Sequence, residues 1–264
     1  AEQSSANRLA IIVLVAGCLC LASAGLAKPW KRHTIDSSSK AAGKLGADGV
    51  RLADVNGDGL LDITTGWEQG GAIVVYQNPG PAKARAAWPS VTVGRVVSPE
   101  DAMFIDLDND GNLDVVSSCE GSARTMYIHW SPPKRGDYWN PSAWRTEAIP
   151  ATKGKQLWMF AAPARLNCRG AAELFVSSKG GNASIGFLVR KDPDSLARDA
   201  GGFEYVKLRS AGWIMSLEPL DMDGDGDTDL IYSDRRGANR GVGLSLIHIS
   251  EPTRLLSIWG GGVG

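Results

Sequence analysis

Four aspartates fall within nine residues of the stretch "DLDNDGNLDVV", which runs from Asp106 to Val116. Carboxylates this close together repel one another unless a cation lies among them. A hard divalent cation is the simplest candidate, and calcium takes about six to eight oxygen ligands at roughly 2.3–2.6 Å. The stretch therefore predicts a calcium loop.

The same pattern, D-x-[DN]-x-D-G-x-x-D followed by an apolar residue, occurs in three stretches that begin at Asp54, Asp106 and Asp221. Oxygen ligands are expected from the side chains at positions 1, 3, 5 and 9 and from the backbone carbonyl at position 7, while glycine at position 6 allows the sharp bend. The predicted metal ligands are Asp54, Asn56, Asp58, Leu60 and Asp62; Asp106, Asp108, Asp110, Asn112 and Asp114; and Asp221, Asp223, Asp225, Asp227 and Asp229, with Leu60, Asn112 and Asp227 contributing carbonyls.

Other metal sites fit the pattern less well. An EF-hand needs a bidentate glutamate at position 12, where these stretches have Thr65, Ser117 and Tyr232. No histidine or cysteine joins any of the loops, which argues against soft or catalytic metals. The remaining alternative is a set of solvated acidic turns that hold no ion.

The spacing of the loops predicts a repeat with one degenerate copy. The starts at 54, 106 and 221 leave a gap that is about twice the other, and "RLNCRGAAELFV" lies halfway, at 165–176. It keeps Gly170 and Glu173, but Arg165 and Arg169 replace acids, so this copy is expected to need no ion. We name the copies loop 1 (54–62), loop 2 (106–114), loop 3 (165–173) and loop 4 (221–229). A repeat of this length indicates a solenoid or a propeller.

Short strand-like segments flank every loop and must position it. The segments that follow the loops read "LDITTG", "LDVVSS", "ELFVSS" and "TDLIYS", and aromatic-led alternating segments such as "WPSVTV" and "WRTEAI" recur farther along. Four short strands per repeat are typical of a β-propeller blade. We therefore predict an all-β propeller with about three complete four-stranded blades, at about 48–95, 101–150 and 157–209, and part of a fourth.

With these loops and flanks, the sequence resembles the FG-GAP or VCBS repeat family. Its calcium-loop propeller blades also occur in integrin α-chain heads and in many secreted bacterial proteins. The resemblance covers about Trp30 to Gly243 and is carried by three loop matches at regular spacing. It implies a calcium-binding propeller, but it says little about the activity of the whole protein.

The N-terminal segment predicts export. Residues 1–27 contain one arginine, an apolar stretch from Leu9 to Leu21 and then small residues, which is typical of a secretory signal peptide and too short for a membrane span. The alternative is the lipobox-like "VAGC" that ends at Cys18, which would give a lipid anchor as the protein's membrane attachment. Either interpretation places the protein outside the cytoplasm, as a secreted, periplasmic or cell-surface protein.

The C-terminal segment departs from the repeat. "LSLIHISEPTR", from Leu244 to Arg254, resembles the translation of a transposon-type sequencing adapter. We therefore interpret 28–243 as a partial propeller and 244–264 as a non-native tail. The alternative is a genuine strand in "LSLIHIS".

The sequence favours binding over catalysis. A net charge of −1 with 22% charged residues gives no electrostatic footprint for nucleic acid. A ligand is expected at the rim opposite the loops, which Lys44, Asp48, Glu100, Asp101, Lys155, Trp158, Arg209 and Trp213 should approach. We interpret these charges as solvated, because adjacent Glu100 and Asp101 point to opposite faces of a strand and cannot form a catalytic carboxylate pair.

The predicted function is a secreted or cell-surface calcium-binding module or scaffold for a protein or glycan. The alternative is a propeller-scaffolded carbohydrate-active enzyme, a lyase or glycosidase, whose catalytic part is not evident. His33 and His129 are expected on outer strands, as surface or packing residues. Cys119 and Cys168 fall in different repeats and are expected to be unpaired thiols.

Overall fold

A computed structural model describes residues 31–164 and 172–246 of the chain. The strands are β1 (Ala47–Ala53), β2 (Asp62–Trp67), β3 (Ala72–Tyr76), β4 (Ser90–Arg95), β5 (Pro99–Ile105), β6 (Asp114–Cys119), β7 (Met126–Trp130), β8 (Arg145–Ala148), β9 (Leu157–Ala164), β10 (Glu173–Lys179), β11 (Ser184–Arg190), β12 (Phe203–Ser210), β13 (Ile214–Leu220), β14 (Asp229–Asp234) and β15 (Gly241–Ser245). Short 3₁₀ helices occupy Arg135–Asp137, Pro141–Ala143, Pro150–Thr152 and Ala200–Gly202. Among the described residues, no helix has the length and apolar character needed to cross a membrane.

The strands form antiparallel sheets in chain order. Strands β1–β4, β5–β8 and β9–β12 make three four-stranded sheets, and β13–β15 make a three-stranded sheet. We call these sheets blades 1 to 4. The prediction of an all-β propeller built from repeated four-stranded blades is confirmed.

One register places the loops identically in their blades. The aspartate at position 9 opens the second strand and pairs with the last residue of the first strand, as Asp62 does with Ala53 and Asp114 with Ile105. Blade 4 repeats this pairing between Asp229 and Leu220. The three loops therefore connect equivalent strands and start from equivalent backbone positions.

Apolar side chains fill the spaces between successive blades. The cluster between blades 1 and 2 includes Ile73, Val75, Val93, Ala102 and Phe104; the cluster between blades 2 and 3 includes Met103, Trp130, Trp158, Leu174 and Leu188; and the cluster between blades 3 and 4 includes Ala162, Phe175, Ile185, Leu217 and Tyr232. Each large side chain removed from water in this way stabilises the packed blades by about 1.5–3 kcal/mol.

Trp158, which was expected at the ligand rim, and His129, which was expected on an outer strand as a surface or packing residue, both lie in this core. Trp158 is fully buried between blades 2 and 3, and its Nε1–H donates to the carbonyl of Thr152 at 3.1 Å, so it is not part of a ligand face. His129 lies on β7, the third strand of its blade rather than an outer one, and it is fully buried. Packing rather than surface exposure is therefore the role of His129, because neighbouring sheets cover both faces of β7.

The predictions for the chain ends and for loop 3 fall mostly outside the described residues. This applies to the signal peptide at 1–27, to Cys168, to residues 165–171 of loop 3 and to residues 247–264. Within the described part, Leu244 and Ser245 belong to β15 and pair with Ile231 and Leu230 of β14. The third strand of blade 4 thus runs into the segment that was interpreted as adapter-derived, whose origin stays a prediction.

Candidate metal centre

The aspartate at position 1 organises each described loop by accepting backbone hydrogen bonds. Its Oδ2 accepts the N–H of the glycine at position 6, at 2.8 Å from Gly59 to Asp54, 3.0 Å from Gly111 to Asp106 and 3.0 Å from Gly226 to Asp221. These bonds lower the pKa of the exposed Asp54, with the Gly59 N–H as the largest cause. The charged form of Asp54, which is the form that binds a cation, is therefore favoured.

Positions 3 and 5 continue the same arrangement. One side-chain oxygen of position 3 accepts the N–H of position 5, and Oδ1 of position 5 accepts the N–H of position 7. The distance from the backbone nitrogen of position 5 to Oδ1 of position 3 is 3.0 Å for Asp58 and Asn56, 3.3 Å for Asp110 and Asp108, and 3.3 Å for Asp225 and Asp223. The three loops thus share one fold despite their different sequences.

The aspartates at position 9 are buried and tie each loop to its sheet. Asp62 accepts the N–H groups of Val55 at 3.1 Å and Asn78 at 2.8 Å, so it links the start of loop 1 to the segment after β3. Asp114 does the same in blade 2 with Leu107 at 3.2 Å and Ser131 at 2.7 Å. Sequence reasoning assigned these residues only as ligands and missed this second role.

Burial and mutual repulsion affect the acids of loop 2. Burial raises the pKa of Asp114 to about 7, and the nearby charge of Asp108 adds to the shift. Burial likewise raises the pKa of Asp108, and the charge of Asp110 adds to that shift. A cation among these carboxylates would oppose the repulsion and favour their charged forms.

Two positions of each described loop adopt the left-handed backbone conformation. Position 6 has φ of 81°, 83° and 91° at Gly59, Gly111 and Gly226. Position 4, which sequence reasoning did not single out, has φ of 76° at Gly57, 56° at Asn109 and 80° at Gly224. Glycine and asparagine tolerate this conformation best. The recurrence of glycine or asparagine at position 4 is the sequence signal from which this backbone conformation could have been predicted.

The donor sets fit a calcium ion. Two oxygens bound to one ion at about 2.4 Å can be at most about 4.8 Å apart. Carboxylate oxygens of Asp106, Asp108 and Asp110 all lie within 4.8 Å of one another, and those of Asp221, Asp223 and Asp225 do so as well. In loop 1 an amide takes the middle place, and Asn56 Nδ2 lies 3.0 Å from Asp58 Oδ2. Positions 1, 3 and 5 therefore converge in loops 2 and 4, and positions 3 and 5 are in contact in loop 1.

Charged side chains also meet at the opposite ends of the strands, where a ligand face was expected. Lys179 of blade 3 donates to Glu100 at 3.0 Å and also pairs with Glu120. Carboxylate oxygens of Glu68, Glu100 and Glu120 lie within 4.8 Å of one another. Burial raises the pKa of Glu100 to about 7, with the hydrogen bond to Glu120 as the next cause. Glu100 and Glu120 thus share Lys179 in an ion-pair network between blades 2 and 3, and Glu68 lies beside them.

Asp101 is also buried rather than solvated. Arg51 of blade 1 makes a two-bonded contact with it, with Nε and Nη2 at 3.0 and 2.9 Å from the two carboxylate oxygens. The expectation that Glu100 and Asp101 carry solvated loop charge is therefore wrong. Each carboxylate binds a cation from another blade, and the two point toward different partners because they are adjacent on one strand.

The other residues expected at this face lie in separate surroundings. The Trp213 ring is approached by the cations of Lys179, Arg235 and Arg236, at 5.0, 5.3 and 4.6 Å from its centre. Arg209 contacts the Tyr232 hydroxyl. Further side chains occupy other places: Lys44 pairs with Asp36 at 2.6 Å, Asp48 accepts the N–H of Gly49, and Lys155 lines a surface cavity of about 430 Å³ with Gln156, Asn182 and Lys207. Only part of the expected set therefore meets at one place.

The comparison with protein families agrees with this geometry. A family model described as FG-GAP-like repeat matches residues 54–117, an interval that starts at the first aspartate of loop 1 and contains all of loop 2. No curated protein matches the chain. The matched repeat and the succession of like sheets together support a propeller built from FG-GAP/VCBS-type repeats.

Proposed function

We propose that this protein is an extracytoplasmic calcium-binding propeller that serves as a binding module or scaffold for a protein or a glycan. The observation that carries the calcium assignment is the convergence of positions 1, 3 and 5 in loops 2 and 4, under a set of backbone hydrogen bonds that loop 1 shares. Hard oxygen donors in such a cluster suit calcium. The extracytoplasmic location rests on the family resemblance and on the signal-like N-terminus.

The ion's role in this proposal is to stiffen the loops. Side chains at positions 1, 3, 5 and 9 and the carbonyl at position 7 would hold it, and it would supply the positive charge that offsets the clustered carboxylates. Each loop joins the first two strands of a blade, so binding would reinforce that hairpin. At one hundred times its Kd, a ligand stabilises the folded state by about 2.7 kcal/mol per site.

The acids at the strand ends opposite the loops agree better with a scaffold role than with an enzymatic one. Glu100 and Asp101, the acids on which a glycosidase reading would depend, are engaged by Lys179 and Arg51. Both pairs join different blades. They therefore contribute to holding the blades together, and the ligand of the module is to be found by screening.

Calcium titration tests the metal assignment. We expect calorimetry on the whole chain to find three sites, one each in loops 1, 2 and 4, and a melting temperature that rises with calcium and falls with a chelator. A fourth tight site, assigned to loop 3 by its loss on Glu173→Ala, would contradict the degenerate-copy argument. No calcium-dependent heat and no change in melting temperature would refute calcium binding. A glycan array probed with the calcium-loaded protein then tests the ligand class.

A further inference from the structure

Loop 2 lies against blade 3, which brings two arginines to it. Arg190, at the end of β11, is buried and donates from Nη2 to the carbonyl of Leu107 at 2.9 Å. Arg198, in the connection between β11 and β12, directs Nε toward Asp108 at 3.4 Å and Nη1 toward Asp110 at 3.6 Å. Blade 3 thus contacts the predicted calcium ligands of blade 2.

Arg198 contacts the two carboxylate oxygens that an ion would need. In both Asp108 and Asp110 the Oδ1 atom accepts a backbone N–H of the loop, from Asp110 and Asn112. The Oδ2 atoms are the ones that face Arg198. A calcium ion held by positions 3 and 5 would draw on these same Oδ2 atoms. The guanidinium and the ion therefore compete for one pair of ligands.

Other contacts hold Arg198 beside the loop. Its Nη2 donates to the carbonyl of Ser131, and its guanidinium lies 5.5 Å from the centre of the Trp130 ring. The contact with the ring is a cation–π interaction, which adds to the stability of this position. The side chain is nevertheless 26% exposed, so it can turn toward solvent without disturbing the core.

The equivalent acids of loop 4 lie in different surroundings. Asp108 is 8% exposed. Its counterpart Asp223, with Asp221 and Asp225, is exposed. Loop 2 has four aspartates, and three arginines lie beside them: Arg190 and Arg198 from blade 3, and Arg135, whose Nη2 donates to the Gly111 carbonyl at 3.0 Å. The arginines thus already neutralise part of the charge that would otherwise attract the ion.

We propose that Arg198 sets the calcium affinity of loop 2 by competing with the ion for Asp108 and Asp110, so that loop 2 binds calcium more weakly than it would without this arginine. The inference rests on the proposed calcium function and adds to it a residue from the neighbouring blade. Binding at loop 2 also releases Arg198, so calcium changes how the β11–β12 connection contacts blade 2.

The test follows each loop separately by NMR during a calcium titration of the whole chain. The position-6 glycine amides, Gly59, Gly111 and Gly226, report loops 1, 2 and 4. In the unsubstituted protein the Gly111 midpoint gives the reference value for loop 2. In Arg198→Gln we expect the Gly111 midpoint to fall about three- to tenfold, the range expected for two partly exposed ion pairs.

Two further variants complete the test. Arg85→Gln removes the same charge from an exposed position of blade 1 and should leave every midpoint unchanged. Arg198→Lys keeps the charge but loses the fork of the guanidinium, so its Gly111 midpoint should lie between those of the other two forms. If Arg198→Gln folds poorly, the Gly111 midpoint of Arg198→Lys takes its place in the test.

The outcomes separate this inference from the calcium assignment. Calcium shifts at Gly59 and Gly226 together with a Gly111 midpoint that Arg198→Gln leaves unchanged or raises would overturn the competition while calcium binding stands. A titration that moves none of the three amides would overturn both. A Gly111 midpoint that falls in Arg198→Gln and stays fixed in Arg85→Gln supports the proposal.

Discussion

His129 makes the stability of the protein depend on pH in a way that can be calculated. Its ring lies between blades 1 and 2, with Nε2 at 2.9 Å from the Ser117 hydroxyl and Nδ1 at 2.9 Å from the Thr146 hydroxyl. Burial lowers the pKa of His129 from 6.5 to about 3. Between these values the unfolded chain binds a proton that the folded protein does not, so stability falls as the pH falls through this window.

The size of the effect follows from the width of the window. Each pH unit between the two pKa values changes the free energy of unfolding by about 1.4 kcal/mol. Lowering the pH from about 7.5 to about 5 should therefore remove about 2 kcal/mol, most of it below pH 6.5. Urea denaturation at the two pH values, at fixed excess calcium, measures this loss.

A variant isolates the contribution of the histidine from other groups that titrate. Glu100 and Asp114 have raised pKa values of about 7, so they bind protons more tightly in the folded protein and stabilise it as the pH falls. His129→Gln keeps polar atoms near the two hydroxyls and removes the titration. The loss should be about 2 kcal/mol larger in the unsubstituted protein than in the variant. Equal losses in both would refute the assignment of a neutral, buried His129.

Three further predictions concern packing, the loops and the free thiol. Gly94→Ala should destabilise the protein by about 1–3 kcal/mol in denaturation, because a Cβ there would lie 2.0 Å from His129 Nδ1; an unchanged midpoint would contradict the close packing. Asp110→Ala should lose more of the calcium-dependent rise in melting temperature than Asn112→Ala, because only Asp110 contributes a charged ligand, and equal losses would contradict that assignment. Cys119 is fully buried, and burial raises its pKa to about 12, so peptide mapping should find it unalkylated until the protein is unfolded.

The loops were predictable because their geometry is local. Position 1 binds the N–H of position 6 only five residues away, so the residues that make the turn are adjacent in the sequence. The same holds for the glycine at position 6, whose backbone conformation few other residues adopt. Regular spacing between such loops then predicted the blades. The strands followed the expected segments because alternating side chains face two neighbouring sheets.

The contacts between blades could not be read from the sequence. Arg51 and Asp101 are 50 residues apart, Lys179 and Glu100 are 79 apart, and Arg190 is 83 residues from the carbonyl that it binds. No local pattern marks these pairs, because they depend on how far each sheet is rotated against the next. The charges at the strand ends therefore looked solvated, whereas packing buries them and supplies cations.

The two ends of each blade consequently differ in what stabilises them. At one end, the loops cluster acids whose repulsion a cation would offset in the proposed function, and in loop 2 the neighbouring blade also supplies Arg198. At the other end, Lys179 joins acids of blade 2 to blade 3 without any ion. The apolar clusters between the sheets lie between these two regions. Calcium in the proposed function would therefore act on the hairpin of each blade, while apolar packing and buried ion pairs hold one blade to the next.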